Sequence, residues 1–460
     1  MADDGAPRPR GISTRILLAT ALAAALAPLN STMLSVAIRP IGATFATPEA
    51  ALTSALVTSY LVTSIVAGPP CGKLADGIGH RRALSFGQLA FALGSLLGLL
   101  APNVATLTVA RIAMAAAGSL IVPSGMALLR AEVPPEARGR VFGLFGATMA
   151  SAATLGPVVG GQLVSSLGWR ALFAVNLLLV PLSALIAGSR GHASAAPTAP
   201  RPRFDWGGTL LLGVSLTALV FGASKGRTPN GWLLALAALA MLAFVRVERG
   251  QAAPVVDFAL FRARTYVAST LVIALQNLAM YSLLFEVPLV CGIALDAPAS
   301  KTGPLLVAMM APTILLSPIA GRVTDAWGPR APAILGGVSG SIGVLLLQLT
   351  PLVSLASPVP GLILVGVGLG LSGAPAQSAG MGAVLPAQSA SAAGLTSTMR
   401  YLGGVVGTMI LGILFSIGPT RDNIGAIHHR ALWVFFGALV LATASAALLP
   451  GRRGAMARGP

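Results

Sequence analysis

Charge is the scarcest property of this chain. Only 9% of its 460 residues are Asp, Glu, Lys or Arg, against 55% hydrophobic, and the mean hydropathy is +0.83. A soluble domain of this length needs far more charge to keep its surface wetted, so most of the surface must face lipid. Lysine is nearly missing, with 3 among 30 basic residues. Histidine occurs four times, at His80, His192, His428 and His429, and the apolar runs leave all four in loops without a carboxylate cluster beside them. That argues against an integral-membrane enzyme, whose chemistry would need clustered His, Asp or Cys near an interface. No metal motif or phosphate-cradling loop is visible, so no cofactor is expected, and any work the chain does must draw on a gradient. Two cysteines, Cys71 and Cys291, fall at opposite ends of their helices. A hydrocarbon core of roughly 30 Å would separate them too far for a disulfide.

The apolar runs are continuous rather than alternating, which selects helices over a closed barrel. Fourteen spans are expected, at 16–38, 52–74, 83–101, 105–129, 141–165, 170–188, 207–223, 231–246, 266–292, 303–321, 331–350, 359–384, 397–417 and 431–449. The first follows a basic flank, as a cleaved leader would. Asp3, Asp4 and its continuation past Asn30-Ser31 favour a full span instead. An Ala/Pro/Ser/Arg-rich stretch from Gly188 to Arg203 has no apolar period and reads as a flexible linker. The expected organisation is a six-helix bundle over 1–188, a linker with two extra spans over 189–265, a second six-helix bundle over 266–450, and a tail over 451–460.

The formal charge of +17 would point to nucleic acid in a soluble protein. Here the loops explain it. With the N-terminus placed in the cytoplasm, inner segments carry 21 basic residues and outer segments 7, leaving Arg111 and Arg400 inside spans. That asymmetry puts both termini on the cytoplasmic side of a cell membrane. Nucleic acid drops out as a partner; lipid, protons and a small molecule remain, with the chain acting as a monomer.

The loop Gly72-Lys73-Leu74-Ala75-Asp76-Gly77-Ile78-Gly79-His80-Arg81 returns 249 residues later as Gly321-Arg322-Val323-Thr324-Asp325-Ala326-Trp327-Gly328-Pro329-Arg330. A hinge repeated in both halves implies two similar bundles that rock against each other. Gly72, Gly79, Gly321 and Gly328 permit close approach and positive φ. Asp76 and Asp325 can accept hydrogen bonds from a neighbouring helix N-terminus, where the macrodipole favours negative charge. Arg81 and Arg330 can reach carboxylates or carbonyls of the opposite bundle. In span five, Gly156 and Gly160 share one helical face suited to close packing, beside Pro157 and Gly161.

The hinge resembles the signature loop of the major facilitator superfamily, in which it acts as a state-dependent latch between the halves. The Gly156-Pro157-Val158-Val159-Gly160-Gly161 string resembles that superfamily's antiporter motif, which marks exporters. Gly168-Trp169-Arg170-Ala171-Leu172-Phe173, Phe204-Asp205-Trp206-Gly207, Arg400-Tyr401-Leu402-Gly403-Gly404 and Asn30-Ser31-Thr32 resemble the fourteen-spanner drug:proton antiporters. The resemblance implies an all-α major-facilitator fold with two additional central helices. Two positions depart from it. Asn30 stands where that family usually has an aspartate, and Met114-Ala115 where it has Gln-Gly; an asparagine has no proton to exchange, though its amide can bind a polar group.

Among the 13 acidic residues only Glu286 falls inside an expected span. A carboxyl at membrane depth is costly unless paired or protonated, which makes Glu286 the candidate proton site; a surface-snorkelling or purely structural role is the other reading. Counting 1.5 Å per residue puts Arg111 about 9 Å and Glu286 about 10 Å above the centres of their helices. The two are therefore expected to face each other across a cavity, unless Arg111 is a packing residue bound to carbonyls. Arg400 is expected to snorkel to the cytoplasmic interface. Asn30, Gln276, Asn277 and Tyr60 are cavity candidates, with ordinary interhelical hydrogen bonds as the alternative. The leading function is export of amphipathic small molecules by proton antiport. A facilitator or importer of a small polar nutrient such as a sugar, and a non-transporting membrane receptor, are the competing classes.

Overall fold

The computed structural model describes residues 14–187, 205–223, 230–251, 254–297, 299–302, 304–415 and 419–451. The expected linker at 188–203 and the tail at 452–460 lie outside the described residues. Among those described, fourteen helices of seventeen residues or more dominate. They are α1 (Thr14–Met33), α2 (Ser59–Ile78), α3 (His80–Leu99), α4 (Val104–Glu132), α5 (Arg138–Leu167), α6 (Ala171–Ala187), α7 (Trp206–Ala223), α8 (Gly231–Glu248), α9 (Arg264–Leu295), α10 (Leu305–Trp327), α11 (Arg330–Leu349), α12 (Val359–Gly382), α13 (Ser389–Phe415) and α14 (Ile424–Ala446). Twelve helical stretches are long and apolar enough to cross a membrane; Ala171–Ile186 and Trp206–Gly222 are shorter apolar helices.

Helices α1–α6 form one bundle and α9–α14 a second. Every helix pair that packs in the first has its counterpart eight helices later: α1 on α4, α5 and α6 corresponds to α9 on α12, α13 and α14, and α3 on α4 and α6 corresponds to α11 on α12 and α14. The contacts between bundles obey the same exchange, since α2 on α13 mirrors α10 on α5, and α4 on α13 mirrors α12 on α5. The repeat in the hinge sequence is thus a repeat of the whole architecture. Each bundle has its own apolar core, around Leu26, Met33, Phe91 and Phe173 in the first and around Leu283, Val344, Leu432 and Phe435 in the second.

Helices α7 and α8 pack on each other, and α7 leans on α2. Their outward side chains are apolar and bare: Trp232 is 88% exposed and Leu185 of α6 77%. In water such a surface would drive association, so its natural covering is lipid. At one end Asp205 caps α7 by accepting from the Gly208 N–H at 2.8 Å, and Glu248 accepts from the Val256 N–H at 2.8 Å.

Helix boundaries moved in one consequential place. Hydropathy starts the last span at 431, whereas α14 begins at Ile424. His428, His429 and Arg430 lower the apolarity of that first turn, so a hydropathy reading leaves it in a loop. In the fold His428 is buried and satisfied, which is what allows the helix to run through it.

Candidate functional site

The two hinge loops lie at the same end of the molecule. Gly79 and Gly328, 249 positions apart, have φ of +92° and +82°. An L side chain is strained there, so glycine is what lets α2 turn into α3 through Gly79 alone, and α10 into α11 through Gly328 and Pro329. Each turn holds its aspartate against the first turn of a helix in the other bundle. Asp76 of α2 accepts from the Ala390 and Ser391 N–H groups of α13 at 2.9 and 2.8 Å, and from the Ser391 hydroxyl. Asp325 of α10 accepts from the Gly139 and Arg140 N–H groups of α5 at 2.7 and 2.8 Å. These amides have no partner within their own helices, and the helix dipole places partial positive charge on them. Each carboxylate therefore caps a helix of the opposite half.

Glycine makes the approach close enough. A Cβ on Gly72 would collide with the Ala390 carbonyl, and one on Gly321 with the Gly139 carbonyl. One turn deeper, Gly68 meets Gly394 and Ser317 meets Gly143, again as equivalents. The capped segments are themselves a second repeat, Val133–Arg140 and Val384–Ser391, offset by 251; each holds a short 3₁₀ turn, Pro135–Ala137 and Pro386–Gln388. Only Val and Pro recur at matching places in it. Arg330 is exposed, so in the second hinge the contact across bundles comes from the aspartate rather than the arginine. A cation not singled out in the sequence does bridge the halves. Arg130, at the end of α4, donates to the Leu385 carbonyl at 3.1 Å, to Ser389 Oγ at 2.7 Å and to the Val384 carbonyl. His80 Nδ1 stands 3.9 Å from Asp76 Oδ1.

The motif glycines of α5 serve packing. Gly156 abuts Leu29 and Thr32 of α1, and Gly160 abuts Met33, where a Cβ would lie 3.0 Å from the Met33 Cα. Gly161 has nothing within 4 Å of its would-be Cβ, and Pro157 is half-buried within an unbroken helix. The face expected from spacing is present, and it is made by Gly156 and Gly160.

The buried charges are arranged differently from the expectation. Arg111 and Glu286 do not pair. Arg111, 1% exposed, donates from Nη1 to Asn30 Oδ1 and from Nε to the Leu56 carbonyl at 3.3 Å. Its guanidinium lies 4.1 Å from the centroid of the Tyr60 ring, and the Tyr60 hydroxyl donates to the Ala27 carbonyl at 3.2 Å. All of this is inside the first bundle. Glu286 is fully buried between α9 and α14 in the second, where Oε1 pairs with His428 Nδ1. Matching depths along two helices say nothing about which way each side chain faces, and each charge found a partner within its own bundle. His428 escaped notice because the hydropathy reading left it in a loop. Glu286 Oε2 has no hydrogen-bond partner among the described residues.

Of the other cavity candidates, Gln276 donates to Ser372 of α12, and Asn277 to its own helix at the Ile273 carbonyl, 2.7 Å away. Both are interhelical or local bonds rather than an open lining. Tyr60 does border a narrow crevice between the bundles, about 10 Å³ and so no larger than a water, together with Ser64, Ser119, Ser397, Arg400 and Tyr401. Arg400 thus turns inward instead of snorkelling, and it donates to Gln377 Oε1 at 3.1 Å. The glycines that follow explain the turn: Gly403 lies against the Ala274 carbonyl and Gly404 against the Tyr281 ring, so α13 presses on α9 and directs Arg400 and Tyr401 to the pocket. Cys71 and Cys291 are both free thiols, and no cluster of three His, Cys, Asp or Glu able to hold a metal occurs among the described residues.

A fold of two matched six-helix bundles, latched at one end and pocketed between, has relatives in sequence and in structure. The multidrug resistance protein Stp of Mycobacterium tuberculosis is 31% identical over 405 residues, covering 86% of this chain and 74% of that protein. The tetracenomycin C resistance and export protein of Streptomyces glaucescens is 29% identical over 433 residues, covering 88% and 77%. The solved structure of the proton:xylose symporter XylE superposes with a TM-score of 0.67 at 15% identity, covering 95% of each chain, a likeness of fold alone. The sequence profile of the Major Facilitator Superfamily matches residues 20–408, and the chain belongs to that family.

Proposed function

We propose that this protein exports amphipathic small molecules by proton antiport through alternating access, as a fourteen-span monomer in the cell membrane with both termini cytoplasmic. The observation that carries the reading is the pair of exchanged aspartate caps. They seal one end of the interface between bundles with hydrogen bonds that a rocking motion would break as a set, and the pocket lies behind that seal. Charge asymmetry in the loops assigns the sealed end to the cytoplasm. Sidedness of this kind makes the described state outward-facing or closed. The relatives named for multidrug resistance and for tetracenomycin C resistance and export support drugs or secondary metabolites as cargo, and the Gly156–Gly161 motif supports export.

Glu286 with His428 is the proton-carrying unit in this reading, in place of a Glu286–Arg111 pair. A carboxylate with one oxygen bound and one bare can take a proton on Oε2 without first losing a hydrogen bond. Its place between α9 and α14 lets the charge change act on the packing of the second bundle.

Reconstitution in proteoliposomes with an internal pH dye tests both parts. A compound-dependent proton flux is expected, and Glu286→Gln should reduce it to the level of empty vesicles while leaving the purified protein monodisperse, because Gln can still accept from His428. Uphill export undiminished in that variant would remove the coupling role. Downhill sugar uptake insensitive to an uncoupler would replace the exporter reading with a facilitator.

A further inference from the structure

The wall of the central pocket is rich in donors and aromatic faces and poor in acceptors. Of the chain's four tyrosines, Tyr60 and Tyr401 line it and Tyr281 lies within electrostatic reach of both. The two basic residues inside spans, Arg111 and Arg400, gather with them. Neither arginine has an acidic partner. Arg111 is bound to an amide, a backbone carbonyl and a ring face, and Arg400 to the Gln377 amide. Ser64 and Ser119 spend their hydroxyl protons on carbonyls of their own helices.

Acidic groups that could offset this charge are engaged elsewhere. Glu286 is held by His428 inside the second bundle, Asp76 and Asp325 cap helices at the hinge end, and Asp205 and Glu248 lie at the ends of α7 and α8. Among the described residues no carboxylate lines the pocket. Two cations in a low-dielectric interior, with neutral first partners, set up a positive potential that a bound anion would relieve. A guanidinium offers a planar fork of donors suited to carboxylate or phenolate oxygens, and it stacks on flat rings. An aromatic cage by itself would suit a cation, but Arg400 in the same wall opposes one.

We infer that the cargo, admitted when the bundles part and this crevice widens, is a planar aromatic organic anion, held with its negative group on Arg400 and the Tyr401 hydroxyl and its ring against Tyr60. This rests on the proposed transport reading in taking the central pocket as the cargo site. Arg111, behind Tyr60, acts through the ring rather than by touching the cargo.

Two dyes built on the same xanthene scaffold separate charge from shape: fluorescein, an anion at neutral pH, and rhodamine 123, a cation. Equilibrium binding to the purified full chain in detergent, read by fluorescence anisotropy, should be saturable for fluorescein and at least about 10-fold weaker for rhodamine 123. Arg400→Gln should weaken fluorescein about 10- to 100-fold, the range for losing a hydrogen bond to a charged group. Arg400→Lys should recover part of that loss, and rhodamine 123 should bind Arg400→Gln no worse than the parent. Equal binding of the dyes, preference for rhodamine 123, absence of saturable fluorescein binding, or an unchanged fluorescein affinity in Arg400→Gln would each overturn the inference. The comparison of dyes on the parent protein decides even if the variants fail to fold. No gradient is involved, so a failure of proton flux in vesicles would remove the transport reading without moving this result.

Discussion

In the first bundle Arg111 is buried against the amide of Asn30 and the face of Tyr60; in the second Glu286 is buried against His428. No two of these residues are equivalents under the exchange of halves. At the hinge end the halves match almost atom for atom, with Asp76 on the first turn of α13 and Asp325 on the first turn of α5. The difference separates two demands on one repeat. Sealing an interface between rocking bodies is easiest when both sides close alike, so the gate stays symmetric. On the proposed antiport reading, holding a cargo and a proton requires distinct chemistry at distinct places, which fits interior charges that differ between the halves.

The largest effect on this comparison should come from removing both caps. Asp76→Asn together with Asp325→Asn loses charge-assisted bonds worth about 1.5–3 kcal/mol on each side. If the sites are independent, the closed hinge end should lose population by 100-fold or more, by the order of magnitude of a sum of two such terms. Spin labels at Glu136→Cys and Ala387→Cys, both exposed, should report a longer distance between the bundles. The single variants sharpen the contrast. Asp76→Asn should open the gate further than Asp325→Asn, because Asp76 also holds the Ser391 hydroxyl and lies beside His80.

A smaller effect is expected from the glycines. Gly72→Ala drives a methyl into the Ala390 carbonyl and should open the same distance, whereas Gly77→Ala, with nothing within 4 Å, should leave it unchanged and raise helix stability by up to about 1 kcal/mol. The smallest concerns Gln276. Gln276→Leu leaves Ser372 only its bond to the Gly368 carbonyl and should lower the melting temperature in line with about 1 kcal/mol, while leaving the dye preference as it was. A changed preference would return Gln276 to the cavity.

Much of the gate was legible in the residues. A ten-residue hinge recurring at a fixed offset announces a structural repeat, and an aspartate between glycines at a helix end has few uses other than receiving amides. The segments that donate those amides were not legible, because backbone N–H groups need no particular side chain and Val133–Arg140 shares little with Val384–Ser391. The interior charges were half legible. Residue type and depth picked out Arg111 and Glu286, both buried in the fold, but not Arg130 and Glu248, which are buried as well. Facing direction depends on helix rotation, which depth does not report, so their partners could not be read. His428 was hidden by its own polarity, since a hydropathy window discards the turn that a buried partner makes apolar in effect. Arg400 was misjudged because nearness to a helix end suggests an escape to water, while Gly403 and Gly404 hold that face of α13 against α9.

Each hinge carboxylate borrows its donors from the opening turn of a helix that belongs to the other half. When the halves part, the four amides of Gly139, Arg140, Ala390 and Ser391 must turn to solvent together. Those four hydrogens are therefore a native timer: their rate of replacement by deuterium counts how often the inner door swings, with no label attached and no cargo identified.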